Sequence, residues 1–123
     1  MNRLLFAALL SLSLAAPTLA HDPRPGPNGG LKVDAGERRH AELMANGTPQ
    51  VVVFLYDAKD RAVPAQGYRA NAILVVGGAT QRFALQPGEG NRLVGTARVP
   101  VPAGVKGAVQ ITGPDGSTAQ ARF

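Results

Sequence analysis

Glycine and proline recur through this chain so often that no long helix fits between them. Fifteen glycines and ten prolines punctuate the sequence. Beyond residue 20, no stretch of 10 to 12 residues has helical periodicity without one of them inside it. What lies between is a series of short runs rich in Val, Ile, Leu, Phe and Tyr, side chains that suit a pleated, half-buried surface. The runs predict eight strands: 31–33, 40–45, 50–57, 69–76, 81–85, 92–99, 108–112 and 118–123. The connections carry reversal chemistry. Asn46-Gly47 and Gly77-Gly78 are hairpin signals, and Asp57-Ala58-Lys59-Asp60, Gln86-Pro87-Gly88-Glu89-Gly90 and Gly113-Pro114-Asp115-Gly116 are turns. Asn46-Gly47-Thr48 also fits the glycosylation pattern, but in so tight a turn, just before Pro49, it reads as turn chemistry. Strands at this spacing without helices predict an all-β domain, an immunoglobulin-like β-sandwich of Greek-key type with seven or eight short strands, or a small barrel.

Alternation adds detail. Val51 to Tyr56 is apolar on both faces and predicts a central strand. The run Arg92 to Val99 has small residues, Gly95 and Ala97 among them, that allow close approach of neighbouring backbone.

The first 20 residues stand apart. A short basic start with Arg3, an apolar run from Leu4 to Leu14 and the small-residue end Thr18-Leu19-Ala20 have the form of a cleavable export signal. The apolar run is too short for a membrane-spanning helix of roughly 20 residues. The expected organisation is a signal peptide at 1–20, a Pro/Gly-rich arm at 21–30 and a β-sandwich at 31–123, working in the periplasm or outside the cell. Cleavage after Ala20 makes His21 the first residue. The net charge of +5 falls by one when Arg3 leaves. The remaining cations are scattered and not interleaved with aromatics, which speaks against nucleic acid as a partner. With no cysteine, thiolate metal sites, iron–sulfur clusters and cysteine nucleophiles are excluded, and the fold must rest on its core alone.

Catalytic sets are scarce. Outside the leader the only serine is Ser117, no Gly-x-Ser-x-Gly occurs, and Gly88-Glu89-Gly90 lacks the Lys-Ser/Thr of a phosphate loop. The chain is not expected to be an enzyme. What remains are its two histidines, His21 and His40. A free N-terminal His21 offers an amine and a ring nitrogen to one metal ion, and His40 would complete the nitrogen set favoured by copper. On a strand, His40, Glu42 and Met44 share a face while Ala41 and Leu43 take the other. The candidate metal residues are therefore His21, His40, Glu42 and Met44, with copper first and zinc or nickel second.

Gly26-Pro27-Asn28-Gly29-Gly30, then His40-Ala41-Glu42-Leu43, an apolar strand ending in Tyr56-Asp57 and the turn Leu85-Gln86-Pro87-Gly88 resemble a small periplasmic domain found with heavy-metal efflux systems. In that domain a Gly-Pro-His-Gly-Gly arm precedes a His-x-Glu-Leu strand. It occurs alone or fused to the membrane-fusion adaptors of metal-exporting pumps. The resemblance covers roughly residues 21–98, and Asn28 stands where that arm has histidine. The N-terminal histidine is also similar to the mature start of copper-resistance C type proteins, which are Greek-key β-sandwiches. These resemblances imply a periplasmic metal-binding protein that buffers copper or hands it to an efflux complex. The competing expectation is a metal-free module that docks on an envelope complex through a strand edge or the proline-rich arm.

Overall fold

A computed structural model describes residues 22–123. His21 and the leader lie outside the described residues, and so do the signal peptide and the amine ligand expected there. Nine strands follow one another: β1 (Arg24–Pro25), β2 (Leu31–Ala35), β3 (Arg39–Met44), β4 (Thr48–Asp57), β5 (Arg69–Val76), β6 (Ala79–Pro87), β7 (Arg92–Val101), β8 (Lys106–Thr112) and β9 (Thr118–Arg122). The eight predicted strands are β2 to β9, each within a few residues of its expected ends. Strand β1 was missed because two residues between prolines leave no periodicity to read. No helix among the described residues is long and apolar enough to cross a membrane.

The turns explain the strand boundaries. Gly77 and Gly78 have φ of 58° and 79°, the paired left-handed conformations of a two-residue hairpin whose twist matches its strands. Gly47 has φ of 87° in the connection between β3 and β4, and its N–H donates to the Val101 carbonyl at 2.8 Å.

All pairings are antiparallel, and the strand order is β1-β2-β3-β4-β7-β6-β5-β8-β9. Strands β5, β6 and β7 form a meander, and β8 returns beside β5, a Greek-key connection. The all-β expectation holds, but the sandwich of two separate sheets is corrected: β2 also pairs with β9, so eight strands close into a barrel, with β1 added outside β2. The sequence left the small barrel only as the alternative because closure rests on a few non-local contacts. The β2–β9 seam is one pair, Ala35 with Ala121, and the β6–β7 seam is two, Gln86 with Val94 and Pro87 with Leu93. At the second seam a Cβ on Gly95 would collide with the Ala84 carbonyl, so only glycine lets the two strands cross this closely.

The interior is filled from every strand of the ring. Leu55, Leu74, Leu85, Leu93, Val109 and Ile111 are at most 1% exposed, and at about 25 cal/mol per Å² of buried apolar surface such residues supply the main drive to fold a chain without disulfides. Ala41 and Leu43 of β3 belong to this core. His40, Glu42 and Met44 accordingly project from the outer face of the barrel, as the alternation requires.

Candidate functional site

The outer face of β2, β3 and β4 carries two polar rows fixed by strand register. Asp34 lies opposite His40, which lies opposite Tyr56; Lys32 lies opposite Glu42, which lies opposite Phe54. An outer barrel face is ordinarily open to water, yet Lys32, His40, Glu42, Phe54 and Tyr56 are all buried. The Pro/Gly-rich arm accounts for part of this. Strand β1 pairs with Leu31 and Lys32, and the following turn folds over the end of β3. Elsewhere the face is covered by side chains, with the Arg92 guanidinium 5.6 Å from the Phe54 ring centre.

Glu42 is the centre of the covered face and is 0% exposed. Four donor contacts fill its carboxylate. The N–H groups of Asn28 (2.9 Å) and Gly30 (2.8 Å) donate to Oε2, while the Asn28 amide and the Tyr56 hydroxyl, each at 3.0 Å, donate to Oε1. The Asn28 amide also donates to the Tyr56 oxygen at 2.9 Å. A buried carboxylate is tolerable only when hydrogen-bonded this completely. The arm sequence is shaped for the purpose: a Cβ on Gly26 would overlap the Glu42 carboxyl, one on Gly30 would strike the Leu43 carbonyl, and Gly29 sits at φ 85°. Burial and, after it, the hydrogen bond to Glu42 push the Tyr56 hydroxyl up to about 12.

His40, 7% exposed, lies in an ion-paired cluster toward the opposite end of the same face. Its Nδ1 is 2.6 Å from Asp60 Oδ1 and its Nε2 3.3 Å from Asp34 Oδ1. Lys32 Nζ is 3.0 Å from Asp60, and an Arg24 guanidinium nitrogen is 3.2 Å from His40 Nδ1. The cluster ties the arm (Arg24), β2, β3 and the turn after β4 together. The hydrogen bond from His40, and then that from Lys32, hold the Asp60 carboxyl at about 2. Asp60 is the only non-glycine residue described with a positive φ, 62°.

For metal chemistry the arrangement brings some candidates together and separates others. His40 and Met44 stand four residues apart on one extended strand, roughly 13 Å between Cα atoms, too far to share an ion. Glu42 lies between them with both oxygens engaged. The ring nitrogens of His40 diverge, one toward Asp34 and the other toward Asp60, so a single ion cannot join His40 to both carboxylates. Among the described residues no group of three or more His, Cys, Asp or Glu is placed to hold a metal ion. Sequence reasoning missed Asp34, Asp60, Lys32 and Arg24 as partners of His40, and Asn28 and Tyr56 as partners of Glu42. The register alignment of Asp34 with His40 and Tyr56 was within reach of a strand-pairing argument. The fold of the arm was not.

Fold and face together define an arm-strapped, eight-stranded antiparallel β-barrel. No family model, curated protein or solved structure matches the chain.

Proposed function

We propose that the processed chain is a metal-free, non-catalytic binding module of the cell envelope. One observation carries this reading: the side chains best suited to chemistry, His40 and Glu42, are spent on fastening the arm and the turn around Asp60 to the barrel. Motif and mechanics then coincide. The Gly26-Pro27-Asn28-Gly29-Gly30 and His40-Ala41-Glu42-Leu43 segments that resemble a metal-efflux domain form a structural latch, in which backbone N–H groups of the arm close over a carboxylate. Arg24 and Lys32 beside Asp60 add positive charge where a cation would have to enter.

A second reading, copper binding that begins at His21, is favoured by the path of the arm. Arg24, the third residue after His21 in the sequence, reaches His40 Nδ1 at 3.2 Å, so the described start of the arm lies beside the histidine of the barrel. Copper(II) titration of processed protein beginning at His21, followed by electron paramagnetic resonance at neutral pH, separates the two. The module reading expects only weak, non-stoichiometric binding. Tight one-to-one nitrogen ligation, lost in His40→Ala or when one residue is added before His21, would replace it with the copper reading.

A further inference from the structure

The antiparallel ring sorts the turns into two ends. The connections at 36–38, 58–68, 88–91 and 113–117 lie at one end and contain Glu37, Asp60, Glu89 and Asp115 along with Arg38, Lys59 and Arg61. The connections at 45–47, 77–78 and 102–105 lie at the other and contain no carboxylate. Near that second end the cations have no side-chain carboxylates among them. Register places Arg82, Ile73, Ala108 and Arg122 in one cross-strand row on the outer face of β6, β5, β8 and β9, and the next row toward the end sets Val75 opposite Thr80 and Lys106. Strand spacing puts Arg82 and Arg122 roughly 14 Å apart, with the apolar pair Ile73 and Val75 between and beside them.

Arg82, Lys106 and Arg122 are all exposed. Among the described residues none has an ion-pair partner, and Arg122 reaches only the neutral amide of Gln120. Val75, 49% exposed, is the one large hydrophobic residue standing free on the described surface, one position from the end of β5 and its Gly77-Gly78 turn. No aromatic residue projects from this face. That removes the stacking platform single-stranded nucleic acid needs and the anchor typical of a protein hot spot. A cluster of cations without ion-pair partners around an exposed aliphatic tip, with the side-chain carboxylates of the turns at the far end, complements an anionic lipid headgroup layer.

We propose that this end of the barrel docks on an anionic phospholipid surface, with Arg82, Lys106 and Arg122 against headgroup phosphates and Val75 at the interface. The proposal rests on the reading of the chain as a binding module and supplies its partner. Processed protein, which contains the whole barrel, is sedimented with vesicles of equimolar phosphatidylglycerol and phosphatidylcholine, and with phosphatidylcholine alone. Binding is expected only to the anionic vesicles, and it should fall as salt rises. Arg82→Gln/Lys106→Gln/Arg122→Gln should weaken it by at least roughly tenfold, since each cation near an anionic surface contributes about a fivefold change. Arg38→Gln/Lys59→Gln/Arg69→Gln, the same charge change away from this end, should leave it within about twofold. Val75→Asp should weaken it independently of the cations. Absence of binding to anionic vesicles, or equal loss in the two triple variants, overturns the proposal. Preferential capture by poly-glutamate over vesicles overturns it too and assigns the face to an acidic protein. The copper titration is a separate readout: a protein that binds both copper and vesicles keeps this docking face and loses the metal-free reading, and one that binds neither does the reverse.

Discussion

The two outer faces of the barrel are built from the same kind of strand and put to opposite use. The face of β2, β3 and β4 is covered, and its charged groups satisfy one another: Glu42 holds four donor contacts, and His40 and Lys32 hold Asp60. The face of β6, β5, β8 and β9 leaves Arg82 and Lys106 unpaired and Val75 open. Burial is what separates them. On the first face a lost partner strands a charge or an N–H away from water, and the cost falls on folding. On the second, water replaces any lost contact, and the cost falls only on what the surface binds. Clusters of polar residues that look alike in sequence thus divide into one that stabilises and one free to recognise.

The sharpest way to break this comparison is Glu42→Ala, which leaves the N–H groups of Asn28 and Gly30 without their acceptor. Stability should drop by about 3 kcal/mol, a fall of roughly 10–20 °C in Tm for a domain of this size, read by far-ultraviolet circular dichroism. A drop below about 0.5 kcal/mol, the ordinary range for surface substitutions, would mean that the latch is not structural. Gly30→Ala should cost about 2 kcal/mol, because its Cβ meets the Leu43 backbone, which cannot move aside without disturbing the β3 pairings. Asn28→Ala should cost about 1 kcal/mol, losing the amide donor while keeping the backbone one.

Acid should act through Asp60. Its folded value of about 2 lies below the unfolded 3.8, so its contribution is present above the unfolded value and is lost as pH falls from there toward the folded one. Because Asp60 is half exposed, solvent screening keeps that contribution under about 1 kcal/mol. Urea midpoints across this window should fall less steeply in Asp60→Asn than in the parent; parallel curves would remove Asp60 from the cluster's energetics. The smallest effect belongs to the open face. Arg82→Gln, Lys106→Gln and Arg122→Gln should each shift stability by less than about 0.5 kcal/mol, and a larger loss would show that this face, too, is structural.

The strands were legible because their signal is local. Val51 to Tyr56 reads as a central strand from its own composition, and β4 does lie between β3 and β7, with Arg92 over Phe54 and the arm over Tyr56 explaining why the outward positions are apolar as well. The pairing of His40 with Glu42 on one face was equally local. The work done by that face was not, since Asn28 is 14 residues from Glu42 and Asp60 is 20 from His40.

By itself, then, the sequence determined that the chain is all-β, where its strands run and which side chains share a face, because alternation and turn chemistry act over a few neighbouring residues. Only the tertiary structure decided that the ring closes, that the arm buries Glu42, and that Arg82, Lys106 and Arg122, dispersed along the chain, meet at one end. Those outcomes depend on strand order and register, which are settled by contacts between residues far apart in sequence.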